Sequence, residues 1–232
     1  MDKVTIEMAR RNYGYGRWDA PFWFIGPEQG MASWEENNLS RRAKAWADLG
    51  RRELNDCREF HRRIGEKRWH FKKLANLQPT WRPLMLLLMT FLEPERAADK
   101  DTLRNYQRDK WGALDDKSGE TCVIELSGLA APNLNETQDS GQHLQQRIEF
   151  IISRIRDHRP SFVVMYGLKQ KDSWEKIAGT TFPPEPKSFV RRGATVLALA
   201  RHPTARNSEG NKYWMKFGRN LHEFAQSTVR IL

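Results

Sequence analysis

The run Phe22-Trp23-Phe24-Ile25-Gly26-Pro27-Glu28-Gln29-Gly30 sets the architecture. Its first five residues are apolar without a break, rich in aromatic and β-branched side chains, and stop at a glycine. A strand covered on both faces reads this way, because neither side can be left polar. The Gly-flanked turn beyond it lets backbone N–H groups approach a ligand closely, and Glu28 can activate a water there. An ordinary strand-to-helix turn with an exposed Glu has the same pattern.

Three further runs of this kind lie at 122–126, 162–167 and 195–200. Helical patterns separate them. The clearest, 142–157, carries Leu144, Ile148, Ile151, Ile152 and Ile155 on one stripe with Arg and Gln opposite. A short helix is predicted at 173–178 and a longer one within 212–232, with Trp214, Phe217, Leu221 and Phe224 on its apolar face. The repeated strand–helix order predicts an α/β protein: an open parallel sheet of four strands with helices on both faces. Between strands one and two, residues 31–121 are charged and mostly helical in pattern, at 39–49, 54–64 and 82–92. Pro83 suits the first turn of the last of these. The stretch reads as a helical insertion in one domain spanning 1–232.

Composition narrows the partners. Lys plus Arg number 39 against 29 Asp plus Glu among 232 residues, a formal charge of +10. That balance favours a polyanion, because each neutralised phosphate releases counterions. The two cysteines, Cys57 and Cys122, show neither C-x-x-C nor Cys/His ligand spacing, so no metal site is predicted, and a four-Cys iron–sulfur cluster is excluded. The first 17 residues are charged and lack a signal-type apolar core, and the apolar run 84–92 is too short to span a bilayer. The expectation is a soluble, cytoplasmic monomer with reduced cysteines and no membrane association.

Ligands in open parallel sheets bind beyond the carboxyl ends of the strands. Four segments lie there: 26–30, 127–133, 167–171 and 201–208. In the last, Arg201-His202-Pro203-Thr204-Ala205-Arg206-Asn207, an imidazole just past a buried strand can stabilise a developing anion. A surface His in a loop is the alternative. Ser127 and Asn133 can bond a ligand edge, or serve as turn residues. Nine tryptophans are present, and Trp34, Trp69, Trp81 and Trp111 in the insertion are candidates to stack on a base or to fill the core. Basic pairs at Arg41-Arg42, Arg51-Arg52, Arg62-Arg63, Lys72-Lys73 and Arg191-Arg192 can track phosphates or form solvated helix faces.

The order of these motifs is more specific than any one of them. An acidic Gly-turn after strand one and a His-Pro-Thr loop after strand four resemble the uracil-DNA glycosylase superfamily, over all four strands and thus most of the chain outside the insertion. The resemblance implies a three-layer α/β/α sandwich around a short four-stranded parallel sheet. It implies excision of a flipped uracil from single- or double-stranded DNA, leaving an abasic site for base excision repair, with no metal or organic cofactor. On it Glu28 falls where that family has a water-activating Asp, and His202 on the His that contacts the uracil O2. Ser127 falls where the family places the Asn that reads the uracil edge. The base pocket would be formed by Gly26, Pro27, Gln29, Gly30, Trp34, Ser127 and Asn133, and Arg201, Thr204, Arg206 and Asn207 would contact DNA. Arg206 lies in the loop that wedges into the duplex.

Two departures bear on specificity. Gly30 stands where the family has a Tyr that keeps thymine out, which implies a roomier pocket. Ser127 makes fewer bonds to a base edge than an amide does. A catalytically inactive nucleic-acid-binding member of the same fold is therefore the competing reading. A phosphate-binding hydrolase or transferase is a weaker rival, since Glu28 would repel a phosphate and no Walker-type Gly-Lys-Ser/Thr is present.

Overall fold

The computed structural model describes residues 2–28, 36–71, 75–96, 99–115, 117, 119–128, 141–206 and 209–227. Helix α1 (Lys3–Arg11) is capped by Asp2, whose carboxylate accepts the Thr5 N–H at 2.7 Å. Strands β1 (Gly14–Gly16) and β2 (Phe22–Gly26) follow. Next come α2 (Glu36–Asp48), β3 (Leu54–Asn55), α3 (Cys57–Arg63), α4 (Trp81–Leu92) and α5 (Lys100–Asp109). Asp56 and Asp99 cap α3 and α5 in the same manner as Asp2 caps α1. The chain then alternates: β4 (Thr121–Glu125), α6 (Gly141–His158), β5 (Phe162–Tyr166), α7 (Lys171–Ala178), β6 (Phe189–Arg192), β7 (Thr195–Ala200) and α8 (Asn211–Ser227).

All the described strands share one sheet in the order β3-β1-β4-β2-β5-β7-β6. The four predicted strands form its parallel centre, β4-β2-β5-β7. The sheet is nevertheless larger than predicted, and mixed. β1 runs antiparallel to β4 with β3 beyond it, and β6 pairs antiparallel with β7 at the other edge. β1 and β3 are too short for a hydrophobic period, and β6 ends in Arg191-Arg192, which reads as a basic cluster. Glycine makes β1 possible: at Gly14 and Gly16 a Cβ would collide with the Val123 and Thr121 carbonyl oxygens.

Alternation along each central strand sends side chains to two separate cores. Trp23, Ile25, Cys122, Ile124, Val163, Met165, Leu197 and Leu199 pack under α6 and α7, against Ile148, Ile151, Trp174 and Ile177. Phe24, Val123, Phe162, Val164, Val196 and Ala198 pack on the other face with Trp46, Phe60, Leu84, Trp111, Trp214 and Phe217. The insertion therefore shares its core with the sheet. It is less purely helical than predicted, since Leu54–Asn55 is a strand and the helix starts only at Cys57. The apolar α4 is buried against α8, where a Cβ on Gly218 would come within 2.5 Å of the Leu87 carbonyl. Among the described residues no helix is long and apolar enough to cross a membrane.

Candidate active site

The sheet register aligns the last residues of the four parallel strands. Gly26 pairs with Glu125, Tyr166 pairs with Ala200, and Gly26 follows the Ile25–Met165 pair, so Glu125, Gly26, Tyr166 and Ala200 form one row across the sheet. Gly26 has no room for a side chain. A Cβ there would collide with the Tyr166 hydroxyl and with Glu125 Oε2.

The turns beyond the row are tied together. The Leu126 N–H donates to the Gly26 carbonyl at 2.7 Å and the Ser127 N–H to the Pro27 carbonyl at 2.8 Å, which sets the Glu28 turn beside the Ser127 turn. Gly167, at φ 98°, brings the next turn against Pro27, and the Trp174 indole N–H donates to its carbonyl at 2.7 Å. His202 leaves the end of β7 and stands edge-on to Tyr166, with ring centroids 5.7 Å apart.

The electrostatics of this edge are unusual. Glu125 is only 9% exposed, its Oε2 has no hydrogen-bond partner among the described residues, and burial pushes its carboxyl up to about 8. The charge of Glu28 raises it further, and Arg147 opposes the shift. Glu28, half-buried, is pushed up to about 7 by desolvation. Burial lowers the His202 imidazole, favouring its neutral form. Its Nδ1 accepts the Thr204 N–H at 3.3 Å and lies 2.9 Å from the Thr204 hydroxyl oxygen. Acceptance of that N–H favours the Nε2–H tautomer, in which the ring presents a neutral donor.

Of the residues singled out in the sequence, Gly26, Pro27, Glu28, Ser127 and His202 gather at this edge, Pro27 and Ser127 buried within it. Thr204 is exposed and positions the His202 ring. Arg201 pairs with Glu185 at 2.6 Å and lies 5.1 Å over the Tyr213 ring, beside a cleft of about 270 Å³. Arg206 is exposed and has no ion pair among the described residues. Gln29, Gly30, Trp34, Asn133 and Asn207 lie outside the described residues. Trp81 and Trp111 are core residues, and Trp69 is packed beneath Arg68. Among the basic pairs, Arg51 binds Glu7, Arg62 and Arg63 bind Glu59, and Arg191 and Arg192 bind backbone carbonyls, while Lys72 and Lys73 lie outside the described residues. Sequence reasoning missed Glu125 and Tyr166. The signal was there, since an acid inside an otherwise apolar buried strand is rare without a purpose.

A second cluster of chemistry-bearing groups lies apart from this edge. Cys57, His61 and His70 are all buried, and their donor atoms lie within 4.8 Å of one another. The sequence shows no Cys/His ligand spacing; the three come together because the His70 turn folds back onto α3. The two thiols are free and lie in different cores on opposite faces of the sheet. No protein-family model and no curated protein matches the chain. The fold and the edge therefore define it by class alone: an α/β protein with an acidic and imidazole site at the carboxyl ends of its parallel strands.

Proposed function

We propose that the chain is a DNA glycosylase that hydrolyses the N-glycosidic bond of a flipped uracil and leaves an abasic site. One observation carries the reading: Glu28, near its protonation midpoint at neutral pH, shares the carboxyl edge of the sheet with His202, a neutral Nε2–H donor. Helices on both faces of a parallel centre agree with the α/β/α sandwich that the resemblance implies.

The chemistry follows from those groups. A base inside a duplex must be extruded before it can be reached. Breaking the glycosidic bond places positive charge on the sugar and negative charge on the base, as in glycoside hydrolysis. Ionised Glu28 balances the cation and takes a proton from the attacking water. The His202 Nε2–H donates to the base oxygen as it becomes anionic. Glu125, protonated at neutral pH, keeps a second negative charge away from Glu28, which leaves Glu28 able to ionise near pH 7. Release of free uracil from labelled DNA by the purified chain tests the reading. Intact DNA with measurable binding would move it to the inactive DNA-binding member, which the burial of Ser127 favours because a buried hydroxyl is poorly placed to read a base edge.

A further inference from the structure

We propose that Cys57, His61 and His70 form a binding site for a single zinc-class divalent cation, independent of the glycosylase reading. Helix α3 places Cys57 and His61 one turn apart on the same face. His70 comes from the turn after α3. Its segment is clamped from α5 by Gln107, whose side-chain amide donates to the Trp69 carbonyl at 2.8 Å and the Asn76 carbonyl at 2.9 Å. The three residues are 1%, 6% and 2% exposed, so the donors are held in place by packing.

The distances fit coordination. Cys57 Sγ lies 3.5 Å from His61 Nδ1 and 3.8 Å from His70 Nε2. A tetrahedral zinc with bonds of about 2.3 Å to sulfur and about 2.0 Å to nitrogen has an S···N edge of about 3.5 Å. The two S···N distances lie close to that edge, and all three donor atoms lie within 4.8 Å of one another. One thiol and two imidazoles are a donor set suited to zinc and poorly suited to magnesium or calcium. His70 Nδ1 is buried, and Nε2 is the ring nitrogen that faces Cys57 Sγ.

Loading the site moves two protons. The Cys57 thiol releases its proton to solvent as sulfur binds the cation. His61 Nδ1 also lies 2.6 Å from the Cys57 carbonyl oxygen, so coordination through it replaces that hydrogen bond and leaves the ring proton on Nε2. A dication with one thiolate retains one net positive charge in the core. Asp56 stands close enough to act on both Cys57 and His70, and Glu66 on both imidazoles, against the opposing charges of Arg42 and Arg58. Three protein donors leave a fourth position for water or a small ligand.

The test uses the full chain, purified without a polyhistidine tag. Elemental analysis is expected to find close to one zinc per chain, and added Zn2+ is expected to raise the melting temperature of chelator-treated protein. Exchange with Co2+ should give the visible bands of tetrahedral cobalt and a sulfur-to-cobalt charge-transfer band. Cys57→Ser should abolish the charge-transfer band, and His70→Ala should weaken Co2+ binding by at least ~10-fold. If Cys57→Ser does not fold, the wild-type cobalt spectrum decides, because Cys122 lies in the other core. Folded wild-type protein without bound zinc and without a cobalt spectrum would overturn the proposal, as would a cobalt spectrum unchanged in both variants.

Discussion

Gly26 and Glu125 are register partners on adjacent parallel strands, and the space a side chain would take at Gly26 is filled by the Glu125 carboxylate and the Tyr166 hydroxyl. The glycine after the first strand is thus required by the sheet edge itself and not only by the turn that follows. Gly26→Ala must displace a buried Tyr ring and a buried carboxyl. Overpacking of this kind costs about 1–3 kcal/mol. A matching fall in the urea midpoint is expected, and an unchanged midpoint would show that the edge is looser than its geometry implies.

From about pH 6.5, below which the buried imidazoles of His61, His70 and His202 act in the opposite sense, stability should fall as pH rises to about 8. Glu125 has a folded-state pKa above its unfolded value, so the folded chain binds the extra proton in that window. Its contribution is complete below the unfolded pKa and is lost as pH passes through the folded one. Glu28 acts in the same direction up to about 7, reduced by solvent screening. Glu125→Gln keeps the shape and removes the titration, so it should flatten the curve and stabilise the chain most at pH 8. Urea unfolding between pH 6.5 and 8.5 checks both, and a wild-type stability that rises with pH across that window would refute the assignment.

The parallel centre of the sheet was legible in the sequence because each of its strands is buried on both faces and so cannot hide its apolar run. The flanking strands were not legible, since Gly-Tyr-Gly and Leu-Asn carry no period and depend on backbone approach that only the folded sheet reveals. Glu28 and His202 could be found because each follows a strand directly. Glu125 left a signal, an acid closing an apolar strand, but its partnership with Tyr166 comes from lateral register that only the folded sheet reveals. Cys57, His61 and His70 formed no recognisable motif because the return of His70 depends on a long-range clamp from Gln107.

His202→Ala should reduce the rate of uracil release on the order of a hundredfold. Thr204→Val keeps the backbone N–H on Nδ1 and loses only the hydroxyl, so it should cost less than ~10-fold. Equal losses in the two variants would contradict the assignment of the donor to the ring. DNA affinity measured by fluorescence anisotropy should be the same for Thr204→Val as for the wild type, because the side chain faces His202.

Arg206 is the exposed cation of the His202 loop without an ion pair among the described residues. Arg206→Ala should lower cleavage of double-stranded substrate more than that of single-stranded substrate, because only the duplex needs a wedge. Equal effects on the two substrates would remove the wedge from the account.

The most direct measurement incubates a labelled uracil-containing oligonucleotide with wild type and with Glu28→Gln from pH 5.5 to 8.5, followed by alkali. The account predicts strand breaks at uracil with the wild type, with a rate that rises as Glu28 ionises near pH 7. In the variant it predicts a loss on the order of a hundredfold or more with DNA affinity retained. Wild-type cleavage in Glu28→Gln, or intact DNA with both proteins, would contradict it.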